Sequence, residues 1–122
     1  MSSGLNIYTL AQCSTCRDAT NWLRTRGVAF AEHAIRVTPP TPAELRTMLA
    51  AQDGNLRKLF NSSGLEYRAQ KLAAKLPGMS EAAQLALLAG NGSLVKRPFV
   101  IGAGVALVGF DPKKWAAAFP AR

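Results

Sequence analysis

Leu5-Asn6-Ile7-Tyr8-Thr9-Leu10-Ala11-Gln12-Cys13-Ser14-Thr15-Cys16-Arg17 joins an apolar strand to the start of a helix and contains both cysteines of the chain. Leu5 to Leu10 has the composition of a short strand. From Asp18 to Arg26, Ala19, Trp22 and Leu23 recur at helical spacing. Cys13 therefore falls at a helix N-terminus, where unpaired backbone N–H groups and the positive end of the helix dipole favour a thiolate. Arg17 adds a cation one turn further on, the kind of surroundings in which a thiol becomes a nucleophile.

A pair of cysteines three positions apart has several readings. As half of a zinc site it lacks partners, because zinc takes four ligands and the rest of the chain offers only His33. As a structural disulfide it closes too short a loop to constrain the unfolded chain. As two inert core thiols it would not need a strand-to-helix junction or an adjacent arginine. Redox or nucleophilic chemistry fits the placement best, and a C-x-x-C close to a β-α-β pattern is the sequence signal of thioredoxin-like folds. That pattern is completed here. Gly27 ends the first helix and Val28 to His33 reads as a second strand, on which His33 is a structural or exposed residue.

Further along, Thr38-Pro39-Pro40-Thr41-Pro42 breaks regular structure, and Thr41 with Glu44 forms a capping box with Pro42 at the first helical position. Leu45, Met48 and Leu49 mark the buried face of that helix. A short helical piece follows at Leu56, Leu59 and Phe60, then helices over Leu65 to Leu76 and Ser80 to Ala89, so residues from about 41 to 90 carry helix signals and no strand signal. Pro98 to Ile101 and Val105 to Val108 form two β runs around Gly102-Ala103-Gly104, which reads as a hairpin. Asp111 and Pro112 start a closing helix with Trp115, Ala118 and Phe119 inside, stopped by Pro120. The expected fold is α/β, thioredoxin- or glutaredoxin-like, with a mixed four-stranded sheet and a helical insertion in one domain over residues 1–122.

The whole-chain properties narrow the function. The 122 residues fit one domain, and no apolar run approaches the ~20 residues of a membrane span. No signal peptide pattern is visible, so a cytoplasmic location is expected, where close cysteine pairs are catalytic or redox-sensing rather than structural. The formal net charge is +8, yet the basic residues are scattered and not interleaved with aromatics. This argues against direct nucleic-acid binding and suits a small oxyanion or an acidic protein partner.

Four stretches, Cys13 to Arg17 after Ile7-Tyr8, Asn61 to Arg68, Lys96-Arg97-Pro98-Phe99-Val100-Ile101, and Val108-Gly109-Phe110-Asp111, occur in an order that resembles the family of glutaredoxin-fold arsenate reductases and the Spx and MgsR regulators. The resemblance implies that Cys13 is the nucleophile, that Arg17 accompanies it, and that Arg97 precedes a cis Pro98 that brings it beside the Cys13 loop. Arg68 matches an arginine of the Spx-like branch. Three positions depart from the best-known arsenate reductases: Asn61 stands in place of one substrate arginine, Gly109 in place of another, and Thr9 where a histidine precedes the nucleophile.

For an arsenate reductase the resemblance implies arsenate or a similar oxyanion as substrate, no bound cofactor or metal, and thioredoxin, or glutathione with glutaredoxin, as electron donor. For an Spx-like regulator it implies the RNA polymerase alpha subunit as partner, and a glutathione-linked thiol–disulfide oxidoreductase is a third reading. The side chains agree with an anion site: arginine forks suit tetrahedral oxyanions, and the backbone N–H groups of Ser14, Thr15 and Cys16 can form an anion nest. The competing reading is that Arg68 and Arg97 are solvated or pair with Glu66 and Asp111.

Overall fold

The computed structural model describes residues 4–119, so the expected helix stop at Pro120 lies outside the described residues. The order of elements is β1 (Asn6–Thr9), α1 (Ser14–Thr25), β2 (Ala31–Ala34), α2 (Pro42–Ala51), a 3-10 turn (Leu56–Leu59), α3 (Leu65–Ala69), α4 (Leu72–Lys75), a 3-10 turn (Leu76–Gly78), α5 (Glu81–Gly90), a 3-10 turn (Gly92–Leu94), β3 (Phe99–Gly102), β4 (Val105–Val108) and α6 (Pro112–Ala118). The strands form one mixed sheet in the order β2-β1-β3-β4. β1 runs parallel to β2 and antiparallel to β3, and β3 runs antiparallel to β4.

Strand alternation divides the core into two layers. Ile7 pairs with Val100, and both point to the side covered by α1 and α6, where they pack with Leu5, Ala19, Leu23 and Trp115. Tyr8, Phe99 and Ile101 face the other side, where Leu45, Met48, Leu59, Leu88 and Leu94 from the helical segment cover them. The central strands are thus buried on both faces, which explains their unbroken apolar character.

Local signals set most helix starts. Thr41 and Glu44 form the reciprocal capping box with Pro42 in the first turn, Ser80 accepts the Ala83 N–H, and Asp111 accepts the Lys113 N–H. Glu44 has a second role: its Oε1 accepts the Tyr8 hydroxyl at 2.6 Å, tying α2 to the central strand. Burial and this carboxylate push the Tyr8 hydroxyl pKa upward.

Two expected elements are corrected. The second strand begins at Ala31 rather than Val28, because the Gly27 and Val28 N–H groups bond back to Arg24 and Leu23 and finish the helix instead of entering a ladder. The single helix expected over Leu65 to Leu76 is broken into α3 and α4, since Lys71 adopts a left-handed conformation at φ 54°.

Gly92 makes the closest backbone approach near the top of the sheet: a Cβ there would overlap the Ile35 carbonyl oxygen. Ile35 is fully buried and its N–H bonds to Thr9 O at 2.9 Å, so its backbone cannot retreat. Gly92→Ala is expected to cost about 1–3 kcal/mol by overpacking. Gly90→Ala, at a position open to solvent, should cause no loss. Urea unfolding midpoints of the two variants check the contrast.

Candidate thiol active site

β1 delivers the chain to the site and α1 receives it. The Cys13 N–H bonds to Leu10 O at 3.0 Å, forming a tight turn after the strand, and the Arg17 N–H bonds to Cys13 O at 3.1 Å, opening the helix. Cys13 is the N-cap of α1, with extended backbone, and its Sγ accepts the Cys16 N–H at 3.3 Å. The sulfur stands where a Ser or Asp oxygen would ordinarily cap, so a thiolate there meets a fixed backbone donor and the positive end of a 12-residue helix.

The two thiols differ in environment. Cys13 is half-buried, whereas Cys16 is 2% exposed, and both are free thiols. Burial, aided by the contact with Cys13, pushes the Cys16 thiol from an ordinary 9.0 up to about 12. A backbone hydrogen bond with Leu10 and the positive charge of Arg97 oppose this rise.

The remaining residues singled out in the sequence take up distinct positions. Ser14, Thr15 and Arg17 are exposed on the first turn of α1. Pro98 is buried, and the Arg97–Pro98 peptide bond is cis. Arg97 is close enough to Cys16 for its charge to act on the thiol, and it forms part of the wall of an open cleft of about 740 Å³. Arg68 lies exposed on α3 and does not line that cleft. Asn61 does line it. Neither Arg68 nor Arg97 pairs with Glu66 or Asp111: the single ion pair among the described residues is Arg24 with Glu32 at 3.8 Å. Thr9 is buried and donates to Glu32 Oε2 at 2.7 Å, and the Gly109 carbonyl accepts the Trp115 indole N–H at 3.1 Å. His33 stacks on Tyr8 and bonds to Asn6, a structural place.

Arg36 was not singled out by sequence reading, yet it lines the same cleft as Arg97. It follows β2 in an otherwise featureless stretch, and no local pattern marks it. Among the described residues, no group of three or more His, Cys, Asp or Glu side chains could hold a metal ion, and no helix is long and apolar enough to cross a membrane.

A half-exposed cysteine capping a helix, a buried second cysteine one turn on, and an arginine before a cis-proline beside them define a thiol site on a thioredoxin-like α/β fold. The ArsC family model matches residues 8–118, and the chain belongs to the ArsC family. It is similar to the uncharacterized protein YusI of Bacillus subtilis, 41% identical over 87% of this chain and 90% of that protein. The global transcriptional regulator Spx of Streptococcus agalactiae is 27% identical over 95% of this chain and 83% of its own length. Among solved structures, a putative ArsC family related protein from Bacteroides fragilis superposes with a TM-score of 0.86 at 38% identity, covering 93% of this chain and 96% of that one. A possible arsenate reductase from Streptococcus mutans gives 0.85 at 33% identity, covering 94% and 98%.

The asymmetry of the thiols sets two expectations. At pH 8, iodoacetamide should label Cys13 and spare Cys16 in the folded protein, as read by peptide mass spectrometry. Above pH 9 the unfolded chain releases the Cys16 proton before the folded chain does, so stability should fall with rising pH towards about 12. Cys16→Ser should flatten part of that slope in urea titrations run across the range.

Proposed function

We propose that this protein is a thiol-dependent arsenate reductase in which Cys13 is the nucleophile and Cys16 the resolving thiol. The observation that carries this reading is the paired arrangement itself: an accessible sulfur at the cap of α1, a buried thiol one turn behind it, and the Arg97 charge acting on that pair. Family membership and the likeness to the possible arsenate reductase of Streptococcus mutans support it.

In this reading the Cys13 thiolate attacks arsenic, an S–As bond forms, and one arsenate oxygen leaves as water after protonation. Arg97, with Arg17 and the N–H groups of Ser14 and Thr15, neutralises the anion as charge redistributes. Cys16 then loses its proton and attacks the Cys13 sulfur. The S–As bond breaks with its electron pair moving to arsenic, arsenite departs, and a Cys13–Cys16 disulfide remains. Two thiols are oxidised as arsenic is reduced by two electrons. Thioredoxin, through its own dithiol, returns the pair to the reduced state. The arrangement calls for no bound cofactor, and reducing cytoplasm is the compartment in which such a pair can cycle.

A second reading has the specific support of the Spx relative. There the same cysteine pair serves as a redox switch, the partner is the RNA polymerase alpha subunit, and the basic surface meets an acidic face. Recycling by glutathione and glutaredoxin, or action as a glutathione-linked thiol–disulfide oxidoreductase, would make less use of the buried Cys16.

The deciding experiment follows arsenate-dependent NADPH oxidation with thioredoxin and thioredoxin reductase, beside glutathione and glutaredoxin. Turnover with the first set is expected. Cys13→Ser should abolish it, Cys16→Ser should block it while leaving adduct formation intact, and Arg97→Ala should lower kcat/KM by on the order of 2 to 3 kcal/mol. Silence with both donor sets, with Cys13 still alkylatable, would favour the regulator.

A further inference from the structure

The 3-10 turn at Gly92–Leu94 holds two arginines from distant parts of the chain on one residue. Arg36 Nε donates to Ser93 Oγ at 3.0 Å, and Arg97 Nη1 donates to the Ser93 carbonyl oxygen at 3.4 Å. The turn is pressed against the Ile35–Arg36 backbone by Gly92, which fixes the separation of the two side chains. Both arginines line the open cleft, together with Asn61, Ser63, Glu66 and Ser93.

The polar groups of this cleft are unevenly satisfied. Arg97 Nε is fully buried and has no hydrogen-bond partner among the described residues. Among the described residues, the two terminal nitrogens of Arg36 have none and neither arginine has a carboxylate within ion-pair distance. Glu66 is the one acidic side chain in the wall, and its Oε1 already accepts Gln70 and Asn91 amide N–H groups. Two guanidinium groups therefore face an open space against one carboxylate. A tetrahedral oxyanion presents paired oxygens that match such forks.

We infer that Arg36 is an oxyanion-binding residue, acting with Arg97 across Ser93 to hold a tetrahedral anion in the cleft, which is linked to the thiol pair through Arg97. The assignment deepens the reductase reading, because Arg97 is shared between the cleft and the thiols. In the ground state Arg36 binds the anion, and Ser93 positions its guanidinium. Where Asn61 and Gly109 supply no positive charge at this end of the molecule, Arg36 supplies it from the end of β2.

The test is binding, kept separate from turnover. Sulfate and arsenate are titrated at constant ionic strength into the full chain, and the amide resonances around Ser93, Leu65 and Arg97 are followed by NMR. Arg36→Ala should weaken both anions at least about tenfold, the scale of losing a charge-assisted contact. Arg36→Lys, which keeps charge and loses the fork, should fall between. Arg24→Ala removes the same charge from an exposed site and should leave affinity close to wild type. Equal weakening by Arg24→Ala and Arg36→Ala would overturn the assignment in favour of the general field. Unaltered binding in Arg36→Ala would overturn it outright, whatever the turnover. Acetate displacing sulfate as readily as arsenate does would overturn the tetrahedral class. Arg36-dependent binding without arsenate reduction in the wild-type protein would leave the site standing and remove the reductase reading.

Discussion

The antiparallel pairing of β1 with β3 is the constraint from which the site follows. Tyr8 lies opposite Phe99 and Ile7 opposite Val100, so the chain leaving β1 toward Cys13 and the chain entering β3 from Arg97 meet at one end of the sheet. The pairing is buried on both faces by large apolar side chains, and moving it by one residue would exchange the two core layers. The separation of Cys13 from Arg97 is therefore set by the interior of the protein rather than by its surface loops. Function at this end depends on packing at the centre.

The same logic explains how the helical segment contributes. It covers one face of the sheet with Leu45, Met48, Leu59, Leu88 and Leu94, and it returns to the sheet through the turn that holds Ser93. Phe60 bridges to Val95, the Asn61 N–H bonds to Leu94 O at 2.7 Å, and the Lys96 N–H bonds to Leu59 O at 2.8 Å. These backbone bonds seat Asn61 in the wall of the cleft that Arg97 also lines. The helical segment that covers the hydrophobic core thus also builds one wall of the cleft.

What could be read from sequence was mainly what is decided locally. The N-cap position of Cys13 follows from the strand before it and the helical spacing after it, and the starts of α2, α5 and α6 follow from capping residues within three positions. The hairpin around Gly102 to Gly104 is equally local. The break at Lys71 was not legible, because lysine has no preference for a left-handed conformation and the surrounding residues all favour helix. Nor was the role of Arg36 in the cleft, since its partner Ser93 is 57 positions away and only the Gly92–Ile35 approach unites them. Arg68 shows the opposite limit. Its type suited an anion site, but α3 leaves it in solvent and outside the cleft wall.

The unequal exposure of Cys13 and Cys16 leaves a single sulfur of the pair within reach from outside. A thiol arriving from another protein can reach the capping sulfur and has no path to the one behind it, so any transient bond between the two proteins forms at Cys13. In the reductase reading, electrons enter and leave through that one atom. Substrate and reductant would then visit in turn, and the surface around the start of α1 would accept a small anion at one visit and a protein face at the next.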